Sequence, residues 1–410
     1  MNVLYIDHYA GSEFYGMEFR PFYLAKEWCR KGINTTIIAA DYSHLRKENP
    51  HISVDFVEIK LEGINYCWIK TRKYDGNGLS RVLNMLQFVS KLILNAKKIA
   101  DKYKPDVVIC SSTYPLDTYP GQLISKYSNA KLIHEIHDLW PLTPMELGGY
   151  SKNHPFIKIM QLAEKSAYKK SSLIVSILPN VEPYLNILNI QKRVVVIPNG
   201  VILDKIDELA QANKKIQNDI IKLKENGYFV IGYAGGISVS NAMIDLMKAA
   251  KLLIDKKIAF LIIGNGTEKE KLIMYKETYD LQNVLFYESI SKKEIYNTLA
   301  EMDALYIGSK KTKLYKYGVS ANKIFDYMLT GKPIINAIDT EHSPLNYNGN
   351  SFVAESENII SIKETIEKVI DLSKEDLDYI KESTVRYVIN NYNYEKIADD
   401  FAKEIVNVSL

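Results

Sequence analysis

The run Ser320-Ala321-Asn322-Lys323 sets polar side chains and a cation ahead of an apolar helical pattern that carries one acid, Asp326, and stops at Gly331-Lys332-Pro333. Ser320 reads as the N-cap of that helix, so its first turn offers free backbone N–H groups beside the Lys323 ammonium, a combination suited to an anion. Two other turns repeat the theme. Gly235 and Gly236 follow the strand-like "VIGYA", with Ser240 and Asn241 at an expected helix start; Gly264 and Gly266 follow "AFLII", with Thr267 as the expected N-cap. Three strand-to-helix junctions of one sheet, converging on one mouth, would make a phosphate cradle of backbone amides with Lys323 as the nearest cation.

A second concentration of chemistry lies in "HEIHDLWPLTP", where His134, Glu135, His137, Asp138 and Trp140 crowd the carboxyl end of a strand. His137 can donate to a phosphate or a sugar hydroxyl and can take a proton near neutral pH. One glutamate and two histidines suggest a metal, but side chains alternate faces along a strand, so His134 and Glu135 diverge and no metal site is expected. The first strand leads into "DHYAGSEFYGMEFRPFYLA", with Gly11 and Gly16 ahead of a helix that contains Arg20. These glycines let backbone approach a ligand, but their spacing is not that of a dinucleotide fingerprint. Asp41, which follows the second strand where a nicotinamide enzyme places its ribose acid, therefore does not signal such a cofactor.

The elements that must carry these residues are short β-branched runs alternating with amphipathic stretches, the pattern of parallel sheets with crossover helices. Strands are expected at "NVLYID", "INTTIIAA", "VDFVEI", "DVVICSS", "AKLIHEI", "LIVSIL" and "RVVVIP", with helices at residues 18–31 and 80–104 among them. After the polar, helix-prone "DKIDELAQANKKIQNDIIKLKENG" the alternation restarts, with "VIGYAGG", "AFLIIGNG", "NVLFYE", "ALYIGS" and "KPIINAI" as strands. The expected organisation is α/β, two doubly wound parallel-sheet domains at 1–200 and 201–385, with a helical segment at 386–410 packing back on the first. In such sheets ligands sit beyond the carboxyl ends of the strands, which makes the cleft between the domains the default active site.

With 52 basic against 49 acidic residues the chain carries a formal charge of only +3, so no nucleic-acid partner is called for. Cys29, Cys67 and Cys110 show no paired or metal-ligand spacing, which points to a reducing compartment and buried small hydrophobes. No segment reaches the roughly 18 apolar residues of a membrane span and no leader pattern opens the chain, so a cytoplasmic protein is expected. On the helix from Ser80 to Lys104, Asn84, Gln87, Lys91, Asn95, Lys98 and Lys102 form a polar stripe opposite Val82, Met85, Leu86, Val89, Leu92 and Ile93. That stripe is either a solvated face or a basic surface for anionic lipid, where each lysine contributes roughly 1 kcal/mol.

Taken in order, the loop with Gly11, Gly16 and Arg20, "HEIHDLWP", "VVVIPNGV", "GYAGG", "LLIDKKIAFLIIGNG", "NVLFYESISKKEI" and "SANKIFDYMLTGKPII" resemble the family 4 retaining glycosyltransferases of the two-Rossmann GT-B fold. The Asp-Leu-Trp-Pro and Ser-x-Asn-Lys-x-Phe-Asp-Tyr-Met elements are similar to a branch found among O-antigen and capsule enzymes, including L-fucosamine transferases. The resemblance implies a nucleotide diphosphate sugar donor, UDP-linked by preference, no separate cofactor, and a glycan or polyprenyl-linked acceptor in bacterial surface polysaccharide synthesis. It implies that Asp326 grips the donor ribose, that Ser320, Asn322 and Lys323 hold its diphosphate, and that the backbone near Ile290 meets the base. It also implies that His137, with Asp138 after it, lies beside the transferred sugar, while Gly11 and Gly16 admit the donor phosphate. Two departures stand out: the family commonly has a glutamate where this chain has Gly318, and a basic pair where it has Gly236 and Asn241, which leaves Lys323 or a side chain such as Lys311 to carry the phosphate charge. A nucleotide-sugar epimerase of similar fold, or a binding scaffold without turnover, are the competing readings.

Overall fold

The computed structural model describes residues 1–409 other than 45, 77, 204–210 and 347–350. Two compact units account for the chain: Met1–Asn199 with Tyr394–Leu410, and Gly200–Asn393. The first unit is built on eight strands, β1 (Asn2–Ile6), β2 (Asn34–Ala40), β3 (Val57–Leu61), β4 (Ile64–Ile69), β5 (Val107–Cys110), β6 (Lys131–Ile136), β7 (Leu173–Ser176) and β8 (Val194–Val196), in the order β3-β4-β2-β1-β5-β6-β7-β8. Every neighbouring pair is parallel except the hairpin β3–β4. The sequence pattern led to one strand in this region rather than two. Glu62 and Gly63, with φ of 46° and 88°, make the tight turn that brings "INYCWI" back beside its neighbour.

The second unit has six parallel strands, β9 (Phe229–Ala234), β10 (Ile258–Ile263), β11 (Val284–Tyr287), β12 (Ala304–Gly308), β13 (Ile334–Ala337) and β14 (Ser351–Val353), in the order β11-β10-β9-β12-β13-β14. Successive side chains feed two cores: Val230, Ala234, Leu261 and Leu305 pack on one face, while Ile231, Tyr233, Phe260 and Tyr306 pack on the other. Apolar residues on both faces are what a central parallel strand requires, and they explain why these runs read as continuous aliphatics. In each unit the strand order reverses beside the first strand, at β1/β5 and at β9/β12. Loops leaving those carboxyl ends diverge and open a crevice, and both concentrations of chemistry lie there.

The end of the chain is helical in three pieces, Ile359–Ile370, Lys374–Tyr392 and Tyr394–Ser409. The last packs on the helix Arg20–Arg30, where Trp28 Nε1–H donates to Ala398 O at 2.9 Å and the Trp28 ring meets Phe401 edge-on at 5.2 Å. Residues 204–210 of the polar linker lie outside the described residues; the helix Lys214–Glu225 follows, capped by the Asn213 side chain.

The expected helix 80–104 is two helices, Leu79–Leu94 and Ala96–Tyr103; Met85, Val89 and Leu92 are buried and Lys98 and Lys102 exposed as expected, but part of the polar stripe is engaged and part of the apolar face is not covered. Asn84 is buried and donates to Arg72 O at 2.6 Å, Gln87 accepts the Arg72 N–H at 2.8 Å, Lys91 reaches Asp55 at 2.8 Å and Lys102 reaches Glu58 at 2.7 Å. The irregular segment beside β4 has backbone groups that need partners, and the "solvent" stripe supplies them. The first helix also exposes an apolar row: Leu79 and Leu94 are 74% and 82% exposed, in line with Leu83, Leu86 and Ile93.

Candidate active site

In the second unit Lys323 stands in the first turn of the helix Asn322–Thr330, close against the exit of β9. Its ammonium donates to Tyr233 Oη at 2.9 Å and to Asn241 Oδ1 at 2.7 Å, and lies 4.7 Å from the centre of the Tyr233 ring. These partners are all neutral. Burial brings the Lys323 pKa down to about 8, so the group is still a cation at neutral pH while lacking a compensating carboxylate among its hydrogen-bond partners. Gly235 passes close by: a Cβ there would lie 3.1 Å from the Lys323 nitrogen.

The three turns do meet around Gly235, though by a different logic from the one anticipated. A Cβ on Gly264 would fall 1.9 Å from Gly235 O, and one on Gly266 would fall 2.2 Å from Ile237 O. Those glycines let two loops press backbone against backbone. Ile237 N–H donates to Asn265 O at 2.9 Å, Gly235 N–H to Ile263 O at 3.0 Å and Gly264 N–H to Tyr287 O at 3.2 Å. Amides spent in this way are not available to a phosphate. The helix start at Asn322 differs: the residue in the cap position is Ala321, not Ser320, and it offers no side-chain cap, while Ser320 is buried just before it. Likewise Glu268, not Thr267, precedes the helix Lys269–Thr278, and Asn241 ends a short 3-10 turn, Val239–Asn241, rather than opening a helix. Gly236 is exposed, and a side chain there would meet nothing within 4 Å, so the position where the resemblance implies a basic residue is open. Lys311 is engaged elsewhere, with Glu355 at 2.8 Å and Asp339 at 3.7 Å.

Asp326, one turn beyond Lys323, is ion-paired with Lys292. Lys292 follows Ile290 and Ser291, so the pair ties the loop carrying Ile290 to the helix, and Ile290 itself packs against the core of the unit. Asp326 and Ile290 are thus brought to one corner, but the carboxylate already has a cation on it. A ribose would have to share or displace Lys292, a residue that no pattern in the sequence marked out.

In the first unit the focus is Glu135. It is fully buried on β6 and accepts from Arg20 Nε at 3.0 Å, Arg20 Nη2 at 2.8 Å, Ser111 Oγ at 2.6 Å and the Tyr5 hydroxyl. His137, two residues on and therefore on the same side of the chain, brings Nε2 to 3.1 Å from Glu135 and 2.7 Å from Ser111 Oγ. His134 points the other way, against the Tyr168 ring, and burial pushes its pKa down to about 4. Burial also opposes charge on His137, but the hydrogen bond and charge of Glu135, then Glu18 and Asp7, outweigh it and hold the ring at about 9. Arg20 and Glu135 favour each other's charged forms, so Glu135 lies well below the usual carboxylate range despite its burial. Asp138 is used differently from what its place in the motif implied: it accepts from the Leu139 N–H and the Thr143 hydroxyl and so shapes the turn after His137. Asp41 accepts twice from Thr71, at 2.7 and 3.0 Å, and takes no part.

The first loop folds back on itself over Gly11. A Cβ at Gly11 would lie 1.8 Å from Met17 O and 1.9 Å from Gly16 O, so Gly11 leaves room for its own loop rather than for a phosphate, while Gly16 takes φ of 76°. The fold-back forces Met17 and Glu18 to φ of 32° and 54°, a region costly for side chains with a Cβ, and sets Glu18 Oε1 3.7 Å from His137 Nδ1. Asp7, at the exit of β1, is buried beside them with its pKa raised by burial and by the Glu18 charge. Tyr5, Asp7, Glu18 and Ser111 were not singled out beforehand. Only the positions of Tyr5, Asp7 and Ser111 at the ends of β1 and β5 could have flagged those three, and nothing local marked Glu18.

Two known families account for the two halves. Residues 15–205 match Glycosyltransferase Family 4 and residues 214–401 match Glycosyl transferases group 1. Both halves match glycosyltransferase families, and the chain is a glycosyltransferase. Solved structures share its fold end to end. Sucrose-phosphate synthase of Thermosynechococcus elongatus superposes with a TM-score of 0.74 at 14% identity, covering 99% of this chain and 98% of the other. A glycosyltransferase of Rickettsia africae gives 0.68 at 16% identity, with coverage of 99% and 98%. HepE of Anabaena, solved with UDP and glucose, gives 0.68 at 15% identity, with coverage of 99% and 100%. No curated protein sequence matches the chain. The two units of this glycosyltransferase are therefore those of the GT-B fold.

Proposed function

We propose that this glycosyltransferase moves a hexose or N-acetylated amino sugar from a UDP-linked donor to a hydroxyl of a glycan or polyprenyl-linked acceptor, with retention, in bacterial surface polysaccharide synthesis. The observation that carries the donor half is Lys323: a cation drawn out of water and given only neutral partners is stabilised most by an incoming diphosphate. The uncapped first turn of its helix adds backbone N–H groups and the positive end of the helix dipole. HepE, a structural relative, was solved with UDP, which favours uridine as the base.

In the proposed reaction the bond from the anomeric carbon to the β-phosphate oxygen breaks, the acceptor oxygen bonds to the same face of that carbon, and the acceptor proton passes to the departing phosphate. Lys323 and the helix start stabilise the charge that accumulates on the leaving diphosphate. His137, cationic at neutral pH, acts as a hydrogen-bond donor to the sugar and does not remove the acceptor proton. Asp326 reaches the ribose only by sharing its carboxylate with Lys292. Calorimetric titration with UDP, GDP, UDP-GlcNAc and GDP-mannose, with and without magnesium, tests the reading. Saturable binding of the UDP series supports it; binding of the GDP series alone replaces the base; no binding in any series removes it.

The exposed apolar row Leu79, Leu83, Leu86, Ile93 and Leu94, with Lys98 exposed beyond it, supports peripheral contact with the cytoplasmic leaflet by insertion of leucines rather than by the lysine stripe. No helix among the described residues is long and apolar enough to cross a membrane. A Leu83→Glu, Leu86→Glu double variant is expected to lose about tenfold or more in cosedimentation with anionic vesicles while binding UDP unchanged; undiminished sedimentation would assign that face to solvent.

A further inference from the structure

We propose that Glu135 is the positioning residue of the His137 site: clamped by Arg20, it turns His137 Nε2–H inward and presents an Nδ1–H, not a lone pair, toward Glu18 and the loop that carries it. The inference rests on the reading of His137 beside the transferred sugar and adds the group that determines which face of the imidazole is offered.

The hydrogen-bond count fixes the orientation. Glu135 is an acceptor only, and its two oxygens collect Arg20 twice, Tyr5, Ser111 and His137. Ser111 gives its single hydrogen to Glu135 at 2.6 Å, so its 2.7 Å contact with His137 is one in which Ser111 Oγ accepts. Nε2 therefore bears hydrogen. If the ring were neutral, Nδ1 would direct a lone pair at the Glu18 carboxylate 3.7 Å away; a proton there turns repulsion into attraction. Arg20 in turn is held by Ile197 O at 2.8 Å and Pro198 O at 2.6 Å, so the orientation is anchored in the backbone after β8.

The groups facing His137 come from every element around it: Glu135 on β6, Glu18 from the first loop, Asp7 at the end of β1, and Asp117 from the short helix after β5, with His134 and Asp138 on its own segment and Arg20 behind Glu135. Carboxyl groups predominate, which agrees with a ring held charged up to about 9. A buried Arg–Glu pair adds little stability compared with apolar packing of the same volume. Its contacts with Tyr5 of β1 and Ser111 after β5, together with its bond to His137, give it a positional purpose.

The test begins without substrate. In the full chain labelled with nitrogen-15 at histidine, His137 is expected to show both ring nitrogens protonated at pH 7.5. In Glu135→Gln its titration is expected to move into the neutral range, so that kcat, flat from pH 6 to 8 in the wild type, falls as pH rises through that range. Transfer at pH 8 then drops by about tenfold to a hundredfold with donor KM changed less than about twofold. Ser111→Ala, which leaves the Arg20 clamp intact, should shift the titration only slightly. A wild-type His137 that titrates near its ordinary 6.5 overturns the proposal, and this measurement stands even if the Gln variant does not fold. So does a Glu135→Gln variant with an unchanged pH profile. If the titrations come out as expected but His137→Ala transfers sugar normally, the placement of His137 beside the sugar fails while the positioning role of Glu135 stands.

Discussion

Replacing Lys323 with alanine should weaken UDP binding by about tenfold to a hundredfold and leave uridine binding within about twofold, since a charge-assisted hydrogen bond contributes roughly 1.5–3 kcal/mol. The contrast between the two ligands matters more than either number. Tyr233 and Asn241 are neutral, so removing the Lys323 cation leaves no buried counter-charge unpaired and the fold should tolerate the change. The pH dependence carries a sign as well: with its pKa lowered to about 8, Lys323 sheds its proton in the unliganded protein as pH rises through that value, and UDP affinity should decline there. Calorimetry of both ligands at pH 7 and pH 9 decides the matter. Equal losses for UDP and uridine would take the diphosphate away from Lys323.

The second large effect is expected at His137. Removing the imidazole should lower kcat by about a hundredfold to a thousandfold, the range for loss of one oriented electrostatic donor, with UDP affinity nearly unchanged. The same group also links stability to pH. A histidine whose pKa is raised on folding from 6.5 to about 9 contributes stability that is complete below 6.5 and disappears as pH rises through about 9. The wild type should therefore lose thermal stability between pH 7 and pH 9.5 by more than His137→Ala does. Melting curves across that interval, beside turnover of the same preparations, test both halves, and unchanged turnover would move His137 out of the reaction.

How much of this was legible beforehand depended on whether the determining interaction was local. The strands β1, β2, β5 and β9 to β13 announced themselves because parallel strands covered on both faces are runs of aliphatics. β4 escaped because Asn65, Cys67 and Trp68 interrupt the run, and β14 because three residues at an edge carry no periodicity. The Lys323 junction and the crowding around His137 were visible as residue types at strand ends. What no local pattern could show was occupancy: that Lys292 would lie on Asp326, that the amides near Gly235 and Gly264 would be spent on neighbouring turns, or that Glu135 would belong to Arg20, 115 positions earlier. The polar stripe of the helix Leu79–Leu94 was misjudged for the same reason. Amphipathic reading assumes that polar side chains seek water, and here Asn84 and Lys91 are claimed by backbone and acid from the segment beside β4.

Glu18 bears on efforts to make the enzyme more robust. It holds a conformation, φ of 54°, in which glycine would be the more comfortable residue. A screen that rewards heat resistance alone would tend to accept glycine there and, in doing so, discard the carboxylate facing His137, since strain relief and loss of function would arrive in a single substitution. The melting temperature of variants at this position is therefore a misleading guide to their worth, and selection for durability should leave residues 17 and 18 untouched.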